Sequence, residues 1–172
     1  SGIKERSIKL PFYSSPLVGF GEAIDVDPTD GTIVLMGHDP TRSMHHTVYT
    51  ADPDSFNFTF VADLGGDIHV DLMGSSTALD YDAKNVYLAW AYNDSVTKKP
   101  AVELAAINFA SGTVTKLPDA LFMAGYAYDS RTRRIYGTQW EGGQRSLAYF
   151  DVASPSKGLT AVAPLGLSGA VG

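Results

Sequence analysis

Ala78-Leu79-Asp80-Tyr81-Asp82-Ala83-Lys84-Asn85-Val86-Tyr87-Leu88 is the stretch whose reading decides the fold. A short apolar run enters an acidic turn, and the chain returns along a strand of β-branched and aromatic residues. The same order is written at Ala23-Ile24-Asp25-Val26-Asp27 and at Gly125-Tyr126-Ala127-Tyr128-Asp129, each followed by a similar strand. Asp27, Asp82 and Asp129 recur about every 50 residues, a spacing that fits one supersecondary unit per copy.

Each copy resolves into four short strands rich in Val, Ile, Tyr, Phe and Thr and bounded by Gly, Pro, Asp and Ser. The first strands are 23–26, 77–81 and 125–128, and the second are 32–36, 85–90 and 134–138. The third strands are 47–50, 103–108 and 146–151, and the fourth are 57–62, 113–117 and 159–163. In Asp27-Pro28-Thr29-Asp30-Gly31 a proline sits early and a glycine where φ turns positive, and the leading Asp can bond N–H groups two residues on. No segment carries a 3.6-residue apolar stripe, so the chain reads as all-β.

Four-stranded units at this period are blades of a β-propeller, read here as about 21–64, 76–118 and 124–166 within a single segment spanning 1–172. Arg6-Ser7-Ile8-Lys9-Leu10-Pro11 repeats the pattern of Thr113-Val114-Thr115-Lys116-Leu117-Pro118, a lead-in strand over 6–11. Three blades close poorly, so the segment is expected to belong to a larger ring completed by self-association or by a partner chain. The alternative is a two-layer β-sandwich of about twelve strands.

The repeats resemble the irregular kelch-like, NHL-like and YncE-like propeller blades of bacterial surface and periplasmic proteins. Leu79 through Tyr87 and Leu104-Ala105-Ala106-Ile107-Asn108-Phe109-Ala110-Ser111-Gly112 carry the resemblance. The paired glycines of kelch repeats and the Trp-Asp ending of WD repeats are missing. The resemblance implies a propeller fold that binds through one face, in an extracellular or periplasmic setting, and names no substrate.

Composition excludes several classes. Of the 172 residues 44% are hydrophobic and 19% charged, a balance that supports a packed core. A net charge of −6 argues against nucleic acid and anionic membranes as partners. The basic clusters Lys98-Lys99 and Arg131-Thr132-Arg133-Arg134 both fall in turns and read as solvated. No apolar run reaches the ~18 residues that would span a bilayer. Zero cysteines removes disulfides, thiolate-held zinc and a thiol nucleophile. The Ser1-Gly2 start reads as a processed end, compatible with a removed targeting segment.

In an up-and-down blade, the second-to-third and fourth-to-first connections emerge at one end, and the other two connections at the opposite end. The first set is longer and more varied, as binding loops on a rigid scaffold tend to be. It gathers the candidate ligand-binding residues Trp90, Tyr92, Trp140, Glu141, His38, Asp39, His45 and His69. Tryptophan and tyrosine rings there suit stacking on sugars or anchoring a peptide. His38, Asp39, His45 and Asp71 offer nitrogen and oxygen donors, but their spacing matches no ligand motif, and polar loop residues are the favoured reading. Asp25/Asp27 and Asp80/Asp82 lack a calcium loop's alternating ligands and read as turn caps. No Gly-x-Ser-x-Gly turn or phosphate-cradling glycine motif is present.

The expected core comprises Ile24, Leu79, Val86, Tyr87, Leu104, Ile107, Tyr126, Ile135, Tyr136, Leu147 and Phe150. The leading expectation is a non-catalytic binding or scaffolding module for a protein or glycan, with no cofactor, metal or membrane insertion. A lyase or glycoside hydrolase using loop His and Asp residues is the alternative, and a purely structural domain of a larger surface protein is the third.

Overall fold

The computed structural model describes residues 23–39, 45–64, 77–93, 96–117, 124–141 and 144–168. These form twelve strands in three four-stranded antiparallel sheets, each a meander with hydrogen-bonded neighbours in chain order. Blade 1 holds β1 (Ala23–Val26), β2 (Ile33–Asp39), β3 (His45–Ala51) and β4 (Phe58–Asp63). Blade 2 holds β5 (Thr77–Asp80), β6 (Asn85–Asn93), β7 (Pro100–Asn108) and β8 (Val114–Leu117). Blade 3 holds β9 (Ala124–Asp129), β10 (Arg134–Glu141), β11 (Gln144–Asp151) and β12 (Leu159–Ser168). The lead-in strand read at 6–11 lies outside the described residues.

Strand alternation sends successive side chains to opposite faces, and the middle sheet is buried on both. Val86, Leu88, Ala105 and Ile107 pack toward blade 1, against Val34, Met36 and Val48. Tyr87, Leu104 and Ala106 pack the other way, against Ile135, Ala148 and Phe150 of blade 3. A sheet covered on both faces by its neighbours rules out a two-layer sandwich. The first strands of blades 2 and 3, β5 and β9, lie side by side.

The turns opposite the loop end share one construction. Each opens on a side chain that accepts a backbone N–H two or three residues on: Asp27 from Thr29, Asp52 from Asp54, Asp80 from Ala83, Asn108 from Ala110, Asp129 from Arg131 and Asp151 from Ala153. In the first-to-second turns, Gly31, Lys84 and Arg133 occupy the same left-handed position, at φ of 78°, 55° and 53°. A side chain there costs about 1–2 kcal/mol over glycine, so what Lys84 gains in return is informative.

The register corrects one alignment. Asp80 pairs with Asn85 as Asp129 pairs with Arg134, so Asp80, not Asp82, is the counterpart of Asp27. Asp80 and Asp27 are buried whereas Asp82 is exposed, since only the residue closing the strand faces its own turn's amides. Ile24 also departs from expectation. It is 65% exposed although its cross-strand partner Leu35, on the same side of blade 1, is buried with Tyr49 and Ala51. Val86, Tyr87, Leu104, Ile107, Ile135 and Phe150 are buried as expected.

Candidate functional site

The strands run further toward the loop end than propensity alone indicates. β2 continues to Asp39, β6 to Asn93 and β10 to Glu141, because the antiparallel ladder keeps satisfying backbone groups past the last strongly β-forming residue. His38, Asp39, Tyr92, Trp140 and Glu141 therefore lie on strand extensions instead of free loops, and Trp90 lies within β6 as the sequence indicates. His45 opens β3, its backbone opposite Asp39, and His38 stands opposite His46. Trp90 pairs with Glu103, Tyr92 with Ala101, Trp140 with Arg145 and Glu141 with Gln144. His69 and Asp71 lie outside the described residues.

The ladders thus bring His38, Asp39 and His45 together on one hairpin, and place Trp90/Tyr92 and Trp140/Glu141 on the next two. Trp140 is 46% exposed, on the face of blade 3 that points away from blade 2. Among the described residues no group of three or more His, Cys, Asp or Glu could hold a metal ion.

The turn end has a different character, because its charges are engaged internally. Asp27 is fully buried, and its carboxylate accepts the Thr29 N–H at 2.8 Å, the Thr29 hydroxyl at 2.7 Å and the Lys84 ammonium at 2.5 Å. Burial pushes the Asp27 carboxyl up, but Lys84 and the two Thr29 bonds outweigh it and leave the group below its ordinary value. Lys84 also donates to Asp30 at 3.0 Å and to the Thr29 hydroxyl at 2.8 Å. Asp30 drops to about 2, first through its bonds from Thr32 and then through Lys84. The ammonium is held above its usual range by Asp27 and Asp30.

Beside it the Tyr81 hydroxyl donates to Asp25 at 2.9 Å, and burial followed by that carboxylate raises the phenol to about 12. The sequence pattern does not single out Lys84. The signal that marks it is a long cation where blade 1 has a glycine. A cleft of about 200 Å³ opens where the first-to-second turns of all three blades meet, lined by Pro28, Thr29, Tyr81, Asp82, Tyr128 and Ser130 among others.

No family model matches the chain, and no curated protein matches it. Solved structures do. It is similar to TolB from Acinetobacter baumannii, at a TM-score of 0.60 and 13% identity, over 85% of this chain and 32% of that one. A chain of a nidogen/laminin complex matches at 0.54 and 14% identity, over 84% and 48%. A gluconolactonase from Xanthomonas campestris matches at 0.51 and 19% identity, over 82% and 46%. The chain thus spans about half or less of the length of these structures. All three are β-propeller proteins, and with its three stacked four-stranded meanders this chain is a β-propeller repeat protein of about three blades.

Proposed function

We propose that the chain is a non-catalytic binding or scaffolding module whose ligand, a protein or a glycan, docks on the loop end of the blades. The observation that carries this reading is the asymmetry of the two ends. At the turn end the six turn-opening side chains, Lys84 and the Asp25–Tyr81 pair spend their polar capacity on the fold itself. The loop end carries the varied connections and the two tryptophans, and recognition falls to such segments on a rigid sheet scaffold.

A protein ligand is supported by the similarity to a structure of nidogen with laminin. The net charge of −6 keeps nucleic acid off the list. Among the described residues no helix is long and apolar enough to cross a membrane. The module works in an extracellular or periplasmic setting, in a ring completed by self-association or by a partner chain.

Arrays of glycans and of peptides test this, probed with the chain and with Trp90→Ala, Tyr92→Ala and, at the turn end, Asp54→Ala. The expected result is a ligand whose binding falls about tenfold or more in the loop-end variants and is unchanged in Asp54→Ala. Binding that ignores both loop-end substitutions, or falls equally in all three variants, overturns the reading.

A further inference from the structure

The first-to-second turns of the three blades carry five carboxylates, and the fold uses four of them. Asp27, Asp80 and Asp129 cap backbone amides, and Asp30 takes the Thr32 N–H and the Lys84 ammonium. Asp82 is exposed and has no hydrogen-bond or ion-pair partner among the described residues. Lys84, two residues on, is drawn away to Asp27, Asp30 and the Thr29 hydroxyl, and Arg131 lies on Asp129. Asp82 is thus the one carboxylate of these turns whose charge the fold leaves unspent.

It lines the cleft of about 200 Å³ where the three turns meet. By register the first turn position is Pro28 in blade 1, Tyr81 in blade 2 and Ser130 in blade 3, and all three line it. Leu79 and Tyr128, each one residue before its strand-closing Asp, add to the walls. The lining is therefore largely apolar and aromatic, with a single anion set in it. No Lys or Arg lines it among the described residues. The Ser130 hydroxyl has no partner among them either, whereas that of Thr29 is taken up by Asp27 and Lys84. Burial, and then Asp25 beside Tyr81 and Asp80 beside Tyr128, raises both phenols, so the rings bring no negative charge at neutral pH.

Tyrosine rings attract cations placed over their faces, and an apolar wall strengthens a charge pair by keeping water from it. At the margin Asp25, Asp27 and Asp30 outnumber Lys84, so the local field repels anions. One carboxylate and two hydroxyls are too few ligands for a metal ion. We propose that this cleft binds an organic cation, an alkylammonium or guanidinium whose apolar stem lies among Pro28, Leu79 and the two tyrosines and whose head sits on Asp82 and Ser130. The volume suits the end of a lysine or arginine side chain, or a small free amine. This site is separate from the loop end and does not depend on what binds there.

Amide NMR titrations of the chain at fixed ionic strength test it, with n-butylammonium, with n-butanol as the neutral isostere, and with a blocked peptide carrying one lysine. Saturable shifts at residues 29, 79–82 and 128–130 are expected with both cations, at a roughly millimolar Kd, and none with n-butanol. Asp82→Asn should weaken cation binding about threefold or more. The rest of its spectrum should stay in place, which shows that the variant folds. Tighter binding of the peptide than of the amine assigns the cleft to a protein side chain, and equal or weaker binding assigns it to a small amine. No saturation below about 50 mM, an equal response to n-butanol, or an Asp82→Asn chain that binds as tightly as the parent overturns the proposal.

Discussion

The seam between blades 1 and 2 and the seam between blades 2 and 3 join equivalent faces with different chemistry. The first is mostly aliphatic inside, with Val34, Val48, Val86, Ala105 and Ile107 beside the Phe109 ring, and ionic at its turn end, where Lys84 reaches across to Asp27 and Asp30. The second is built from larger rings: Tyr87 and Phe150 are buried in it, Tyr126 and Tyr128 pack against them, and the Tyr87 and Tyr128 centroids lie 5.6 Å apart. Small β-branched side chains let sheets approach closely. Gly112 of blade 2 comes near enough to blade 1 that a Cβ there would stand 2.9 Å from the Val61 carbonyl oxygen. A propeller seam can therefore be held either by close aliphatic contact with an ion pair at its margin or by aromatic volume, and the repeat tolerates both.

The largest test of that contrast is Phe150→Ala. Phe150 is fully buried in the aromatic seam, and truncation there costs about 3–5 kcal/mol in transfer and cavity terms. Repeat stacks are stabilised by nearest neighbours, so the loss should fall on blade 3. Hydrogen exchange should speed up across β9 to β12 while β2, β3 and the inner strands of blade 2 keep their protection. Equal loss in all three blades would show that the two seams melt as one unit.

Lys84→Met tests the other seam, and its effect is pH-dependent. Asp27 and Asp30 sit below the ordinary 3.8 in the folded chain, so they stabilise it above that value. The contribution is lost as pH falls through the folded values, toward about 2 for Asp30. Lys84, held above 10.5, adds stability that persists until alkaline pH. Removing the ammonium should lower the melting temperature by about 3–5 °C at pH 7, with the two proteins converging near pH 2. High salt should narrow the gap only in part, because Asp27 is buried. A difference constant from pH 7 to pH 2 would assign the effect to the lysine stem and its contact with the Phe109 ring instead.

Much of this was legible in the chain. The acidic turns name themselves, since an Asp or Asn at the end of a strand has few better uses than capping the next amides, and the period fixes how many sheets there are. Other parts were not legible. Which of Asp80 and Asp82 closes its strand depends on register, and local pattern leaves two candidates two residues apart. Whether Ile24 is core depends on which blade stands beside it, which one-chain periodicity does not encode. Toward the loop end, sequence ended the second strands three residues early, and only the cation standing where blade 1 has a glycine marks Lys84 as the residue that works across a seam.

The smallest effects set two tyrosines against each other. In the ionic seam the Tyr81 hydroxyl donates to the Asp25 carboxylate, and Tyr81→Phe should cost about 1 kcal/mol, modest because the pair is only part-buried. In the aromatic seam the Tyr87 hydroxyl is buried beside Asn85 and Asp80 without a well-formed hydrogen bond to either, and burial raises its phenol to about 12. Deleting an unsatisfied hydroxyl removes a desolvation cost while the ring keeps its packing. Tyr87→Phe should therefore leave stability unchanged or raise it by up to about 1 kcal/mol, as read by chemical denaturation. Tyr87 borders a cleft of about 370 Å³ that Asn85, Asn108, Ser111 and Thr115 also line, and water can enter there. If Tyr87→Phe instead destabilises as much as Tyr81→Phe, the hydroxyl is bonded to water from that cleft, and the aromatic seam has a polar anchor of its own.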